Sequence, residues 1–191
     1  YVLHYENTGT GFTAKLGGIF KPTEAVRIGL AFHSPTLYRI NEYVYDNITS
    51  SFTDGEKREY ENDPSRYSYA LTTPFRALAG VAVQIKKIAL ISADYEYVDH
   101  ASAKFSETGE GYDYSEKNQA IQNSLRAASN FRIGAEMRYN NLYLRGGYGY
   151  YGKSFARDEI NKDLVYNTFS VGTGFREQNV FVDFGFTRQV N

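Results

Sequence analysis

The feature that most constrains this chain is the segment 130–152, NFRIGAEMRYNNLYLRGGYGYYG, which predicts a β-hairpin turning at Asn140-Asn141. In each arm, large apolar residues alternate with charged or small ones. Side chains of a strand point alternately to its two faces, so each arm has one apolar face and one charged face. A soluble sandwich would need a second sheet over the apolar face. In a transmembrane β-barrel, lipid covers that face and the interior is polar.

The same alternation recurs along the chain and predicts eight strands in all. Their approximate ranges are 10–20, 26–33, 75–85, 89–97, 130–139, 142–152, 165–176 and 180–190. The fold class that this pattern predicts is all-β, an antiparallel transmembrane β-barrel.

The connections between these strands alternate regularly between short and long. Short turns are predicted at Pro22, Lys86-Lys87, Asn140-Asn141 and Gln178, and long loops near Asp54, Gly109 and Arg157. Outer-membrane barrels have short periplasmic turns and long extracellular loops, so the alternation favours a membrane barrel. Three smaller expectations concern the remaining segments. Residues 1–8 should be the end of a loop, Tyr43 and Tyr45 should extend neighbouring strands, and a short helix should include Ile121.

Composition narrows the function classes. The net charge of −1 provides no electrostatic footprint for nucleic acid, and the absence of cysteine removes disulfides, thiol nucleophiles and Cys-zinc sites. No segment approaches the roughly 18 apolar residues of a transmembrane helix. A mean hydropathy of −0.50 is compatible with a barrel, whose strands average apolar and polar residues. Because the chain opens on Tyr1 and not on Met, we expect a processed or partial chain.

Eleven charged residues fall on the face opposite the apolar one and form the candidate site. They are Lys15, Arg27, Arg76, Asp94, Glu96, Arg132, Glu136, Arg138, Arg145, Arg176 and Asp183. One interpretation is a lumen lining that steers or excludes permeants. The other is a lattice of salt bridges between strands that satisfies the charges of a barrel interior. The two can coexist.

Catalytic and metal chemistry find little support in the sequence. His4, His33 and His100 have no histidine or carboxylate at metal-ligand spacing. His33 precedes Ser34, but hydrogen-bond geometry disfavours sequence neighbours as a nucleophile and its base, and no third member stands out. We therefore expect no enzyme activity and no cofactor.

Three stretches of the chain resemble the FadL/TodX family of outer-membrane transporters for fatty acids and aromatic hydrocarbons, particularly its Bacteroidetes relatives. They are GTGFTAKLGGIFKPTEAVRIGLAFHSP (9–35), ALISADYEYVDHASAKF (89–105) and NFRIGAEMRY…LRGGYGYYG (130–152), the last followed by SVGTGFRE and VFVDFGF. The resemblance covers most of the chain in the family's order. It implies a fourteen-stranded barrel with an N-terminal plug. This chain shows about eight strands, no plug-like opening and no terminal aromatic strand, so we expect residues 1–191 to be one incomplete barrel domain covering later strands.

By this resemblance, the protein would passively move a hydrophobic small molecule, such as a long-chain fatty acid or an aromatic hydrocarbon, across the bacterial outer membrane. Its partners would be outer-membrane lipid and that ligand, and not nucleic acid. The main alternative is a structural or adhesive barrel with exposed extracellular loops and no transport. A lipid-modifying barrel is a third possibility, and it would need a convergent Ser/His/Asp group.

Overall fold

The computed structural model describes residues 2–109, 111–156 and 158–191, which form antiparallel β-sheets with one α-helix and one short 3-10 helix. The strands are β1 (Val2–Phe12), β2 (Lys15–Phe20), β3 (Val26–His33), β4 (Leu37–Ser51), β5 (Lys57–Glu61), β6 (Ser65–Thr72), β7 (Arg76–Ile85), β8 (Ala89–Asp99), β9 (Lys104–Glu107), β10 (Ala127–Tyr139), β11 (Leu142–Tyr151), β12 (Tyr166–Glu177) and β13 (Val180–Val190). Helix α1 is Ser115–Ser124, and the 3-10 helix is His100–Ser102.

Eight strands form one sheet, here called the main sheet, in the order β13-β12-β11-β10-β8-β7-β3-β2. Seven of these strands lie where the alternation predicts them, and the all-β antiparallel class is confirmed. The strand predicted over 10–20 was wrong in its first half, because residues 10–12 belong to β1 and the main-sheet strand begins at Lys15. Within the described residues, β2 and β13 each pair on one side only, and the sheet is open. The alternation of short and long connections is also confirmed, although the third long loop is centred on Arg157, which lies outside the described residues.

The short turns follow from local backbone geometry. The two-residue connections 140–141 and 178–179 join β10 to β11 and β12 to β13, and residues 86–88 join β7 to β8. The first residue of each turn, Lys86, Asn140 or Gln178, has a φ of 51°, 54° or 39°. Left-handed backbone is tolerated by asparagine but costs more for lysine or glutamine. At Lys86 and Gln178, the pairing of the flanking strands therefore has to offset this conformational cost.

The segment before β2 and two of the long connections form a second sheet that the sequence does not predict, here called the extension sheet. It runs in the order β1-β4-β6-β9, and β5 pairs with the far end of β4. The expectation of a loop over residues 1–8 was wrong, because Val2–Phe12 pairs with β4 along its whole length. Tyr43 and Tyr45 lie in β4, which continues the path of β3 as expected.

The two sheets separate where the long strands are interrupted. Pro35 lies between β3 and β4, and Pro74 lies between β6 and β7. Proline has no N–H to donate to a sheet ladder, which accounts for an interruption at both places. Hydrogen bonds between Thr36 and Thr73 link the two interruptions. The Thr36 amide donates to Thr73 Oγ1 at 2.9 Å, and the Thr73 amide donates to the Thr36 carbonyl at 3.0 Å. Beside them, the Ser34 amide donates to the Ala14 carbonyl at 2.8 Å.

Helix α1, which the sequence predicted around Ile121, is attached to β9 by one side chain. The amide group of Asn118 accepts a hydrogen bond from the Phe105 N–H and donates one to the Phe105 carbonyl, both at 2.8 Å. Asp113 accepts from the Ser115 hydroxyl and amide at the start of the helix, and these bonds lower the pKa of that carboxyl. No helix in the described ranges is long and apolar enough to cross a membrane.

The main sheet has almost no core of its own. Among the described residues, only Glu96, Val98, Ala128, Tyr143, Gly149 and Gly174 are buried. Large apolar side chains on one face of the sheet stay exposed, including Leu16 at 78% and Phe184 at 70% of full exposure. Within the described part of the chain, no second layer packs on this face.

Candidate functional site: the charged face of the main sheet

Strand register places all eleven charged candidates on one face of the main sheet. Residues paired directly across neighbouring strands lie on the same side, and the pairs link the set from Lys15 on β2 to Asp183 on β13. The opposite side carries the exposed apolar residues. We call the two sides the charged face and the apolar face.

A first group of charges is centred on Glu96, which is only 6% exposed. Arg76 Nη1 lies 3.4 Å from Glu96 Oε1, and Arg132 Nη1 lies 3.6 Å from Oε2. The single carboxylate thus bridges β7 and β10 across β8. A buried carboxylate is costly without such partners, so Glu96 depends on both arginines.

His100 follows β8 and stands close to this first group. Burial lowers the pKa of His100, and the positive charge of Arg76 lowers it further. The carboxylates of Asp99 and Glu96 act in the opposite direction. Protonation of His100 is therefore less favourable in the folded protein than in the unfolded chain.

A second group is centred on Arg145 of β11. Its Nε donates to Glu136 Oε2 at 2.6 Å and its Nη1 to Asp183 Oδ1 at 2.5 Å, so it joins strands on both sides. Asp183 also lies 4.0 Å from Arg176 Nη2. The buried ring of Tyr143 lies under three guanidinium groups, those of Arg176 at 4.6 Å, Arg138 at 5.3 Å and Arg145 at 5.7 Å from its centroid. These contacts form the inter-strand lattice that the sequence left as one of its two interpretations.

The remaining candidates lie outside these ion pairs. Arg27 Nη1 donates to the Gln84 side chain at 3.3 Å, and Arg138 Nε donates to the Asn140 carbonyl at 3.1 Å. Asp94 lies opposite Gly80 and Arg132 in the register. Within the described residues, Lys15, Arg27, Arg138 and Asp94 make no ion pair.

Glycines on the charged face leave room for polar side chains on the neighbouring strand. A Cβ on Gly174 would collide with the Asp183 carboxylate, and a Cβ on Gly147 would approach Ser170 Oγ to 2.7 Å. The same relation holds between Gly80 and Asp94. In the segment GGYG (146–149), which lies wholly in β11, Gly147 and Gly149 thus provide space for side chains of the neighbouring strand.

The charged face is not uniformly polar, which the sequence analysis missed. Over part of β2, β3 and β7, the residues of this face are small or apolar, and together with Asp94 and Arg132 they line an open cavity of about 610 Å³. Five of them are Gly17, Ile19, Gly29, Ala31 and Leu78. We call this region the apolar groove. The alternation in the sequence already places these residues on the charged face. They are overlooked when only the charged residues of that face are considered.

A larger open cavity of about 620 Å³ covers the charged half of the same face, over β8 to β13. Asp94, Arg132, Glu136, Arg145 and Asp183 are among its lining residues. One face of the sheet therefore offers an apolar region beside a charged one.

Ser34 does not form a catalytic pair with His33. Its Oγ accepts a hydrogen bond from the Ala14 amide at 2.9 Å and donates to the Pro35 carbonyl at 3.0 Å, so it closes the strand interruption. Across the described ranges, no group of three or more His, Asp or Glu side chains is arranged to hold a metal ion.

Comparison of the chain with protein-family models and with curated proteins finds no match. The case for a function therefore depends on the two faces of the main sheet.

Proposed function

We propose that the main sheet is part of a transmembrane β-barrel of the bacterial outer membrane, through which hydrophobic small molecules cross passively. The observation that carries the proposal is the reversed polarity of the sheet. Its large apolar side chains are exposed, while its charged side chains pair with one another on the opposite face. Water would disfavour so large an exposed apolar face, whereas bilayer hydrocarbon would solvate it.

The height of the apolar face suits a bilayer. On β10 this face runs from Phe131 to Tyr139, which spans about 27 Å along a strand. With the tilt of roughly 40° typical of barrel strands, that length covers roughly 21 Å of depth, close to the apolar band of about 25 Å in outer-membrane barrels. At the end nearer the long loops, aromatic pairs contact one another, as in Tyr95–Phe131 at 4.9 Å and Phe75–Tyr97 at 6.0 Å between centroids. Such rings suit the boundary between hydrocarbon and headgroups.

In this arrangement the charged face lines the lumen. The salt bridges of Glu96 and Arg145 keep the lumen charges satisfied, and the apolar groove provides a surface on which a hydrophobic permeant can rest. Apart from Asp94 and Arg132, the lining of the groove is small, apolar or aromatic. A lining with few polar contacts suits passage, since a permeant must leave as readily as it enters. The resemblance to FadL/TodX transporters points in the same direction.

The orientation follows from the connections. Turns of two or three residues would face the periplasm, and the extension sheet with its loops would project outside the cell. The strands of the extension sheet carry polar side chains on both faces, as in LYRINEYVYDNITSS of β4. This composition suits a region above the bilayer.

A pair of glycine substitutions tests transport. Gly29 lies in the apolar groove and Gly146 on the apolar face outside that groove, and a Cβ at either position meets open space. Gly29→Phe would place an aromatic ring in the groove, while Gly146→Phe would add one toward lipid. In proteoliposomes, we expect Gly29→Phe to reduce uptake of a labelled hydrophobic compound several-fold and Gly146→Phe to leave it unchanged. Equal uptake by wild type, Gly29→Phe and protein-free vesicles would refute transport.

The extension sheet favours a second candidate function, that of an adhesive or structural barrel. Five strands project beyond the strand interruptions, which is more structure than a permeation pathway needs. A protein that fails the uptake test yet remains inserted in vesicles, with residues of the extension sheet accessible to protease, would be assigned to this class.

A further inference from the structure

We propose that the charged face holds a second binding site, an oxyanion site at its short-turn end, formed by Arg27, Arg138 and Lys87. The eleven charged residues of this face comprise seven cations and four carboxylates. An excess of positive charge therefore remains after the lattice has formed. This inference needs only the fold of the main sheet and does not depend on transport.

The excess charge is concentrated at one place. Arg27 and Arg138 make no ion pair within the described residues, and both line an open cavity of about 390 Å³. Lys87, from the turn between β7 and β8, lines the same cavity. Three cations thus converge from β3, from a turn and from β10.

The one carboxylate in this cavity is already engaged. Glu136 lines it, but its carboxylate accepts the hydrogen bond from Arg145 at 2.6 Å. In the described part of the chain, the hydrogen bonds and the ring contact of the Arg27 and Arg138 side chains are with neutral groups, namely the Gln84 side chain, the Asn140 carbonyl and the ring of Tyr143. Each guanidinium has five N–H donors, so most of them remain available to a ligand.

This chemistry selects an anionic oxygen ligand. Planar guanidinium groups bind carboxylate or phosphate oxygens through paired hydrogen bonds, and an ammonium group adds a flexible point charge. An anion would relieve the mutual repulsion of three neighbouring cations. The shared chemistry is a carboxylate, phosphate or sulfate group, which could be a free ion or the head of an amphiphile.

Calorimetric titration of the purified full chain in a nonionic detergent, at low ionic strength, tests the site with sodium phosphate and sodium acetate as probes. We expect saturable binding of at least one probe to the wild type. The double variant Arg27→Gln/Arg138→Gln should bind roughly tenfold to a hundredfold more weakly, because charge-assisted hydrogen bonds are lost. Arg27→Lys/Arg138→Lys should retain binding within a few-fold of the wild type.

The matched control is Lys15→Gln, which removes another unpaired cation from the same face. Lys15 pairs with His33 at the far end of β3, about 20 Å along the strand from Arg27. Binding to this variant should equal that of the wild type. The absence of saturable binding, an equal loss in Lys15→Gln, or wild-type affinity in the double glutamine variant with an unchanged far-UV circular dichroism spectrum would overturn the proposal.

A comparison of acetate with octanoate identifies the source of the anion. Octanoate bound at least tenfold more tightly than acetate, with that advantage reduced by Gly29→Phe, would assign the site to the headgroup of an amphiphile in the apolar groove. Equal affinities would assign it to a small free anion. Either result supports the site.

Discussion

The carboxylate of Asp183 occupies the space that a side chain on Gly174 would need. These two residues are directly paired across β12 and β13, and the same carboxylate accepts the hydrogen bond from Arg145. The glycine thus makes the Arg145–Asp183 contact possible. Gly185 lies on β13, two residues after Asp183. A Cβ added to Gly185 would meet open space, so this residue is the control for Gly174.

Gly174→Ala should destabilise the folded protein, although glycine-to-alanine changes in strand-compatible backbone ordinarily stabilise by about 0.4–1 kcal/mol. The added methyl group displaces Asp183 from Arg145, and we expect a net loss of about 1–2 kcal/mol, typical of overpacking. Urea unfolding in detergent measures it, with Gly185→Ala expected to be neutral or slightly stabilising. Equal stabilisation by both substitutions would show that Asp183 moves aside at no cost.

Because the two faces differ in polarity, introducing an arginine at two adjacent positions of β13 should affect folding very differently. Phe184→Arg places a charge on the apolar face, which costs about 2–4 kcal/mol near the bilayer midplane because hydrocarbon does not solvate it. Gly185→Arg places the same charge on the charged face, in open space. Folding yield in lipid vesicles should fall sharply for the first variant and little for the second. Similar yields would show that neither face contacts lipid.

The orientation can be measured with single cysteines, since the chain contains none. Asp54→Cys lies beyond β4 in the extension sheet, and Asn141→Cys lies in the turn between β10 and β11. A membrane-impermeant maleimide added to intact cells should label residue 54 and not residue 141. Labelling of residue 141 alone would show the reverse orientation, and labelling of both would contradict insertion in the outer membrane.

His100 predicts how stability depends on pH. Its pKa in the folded protein is below the ordinary value of 6.5, so the unfolded chain binds the proton more readily. Its contribution to stability is therefore complete above about pH 6.5 and is lost as the pH falls through the folded pKa. Thermal unfolding at a series of pH values should show a smaller loss on acidification for His100→Gln than for the wild type. Identical pH profiles would assign the acid sensitivity to other groups.

Periodicity of two was enough to predict most of the main sheet, because its strands contrast large apolar residues with charged or small ones at most steps. The extension sheet lacks that contrast. In β4, LYRINEYVYDNITSS has polar or tyrosine side chains on both faces, so its alternation is weak. Its partners are also distant in sequence, as in the pairing of Val2 with Asn47. No local pattern indicates such a pairing.

The candidate site shows a similar division. Alternation assigns Arg145, Glu136 and Asp183 to one face, but it does not indicate that one arginine joins both carboxylates. That contact depends on the register of three strand pairs, which only the structure provides. The two-residue turn at Asn140-Asn141 was predictable because asparagine tolerates left-handed backbone at little cost.

The interruptions at Pro35 and Pro74 also bear on how such a protein diversifies over generations. Each is closed by hydrogen bonds among Ala14, Ser34, Thr36 and Thr73 at the junction itself. Insertions or deletions in the projecting segment beyond this junction therefore leave the strand pairing below it unchanged. The extension sheet and its loops can acquire new sequence rapidly while the main sheet is inherited intact.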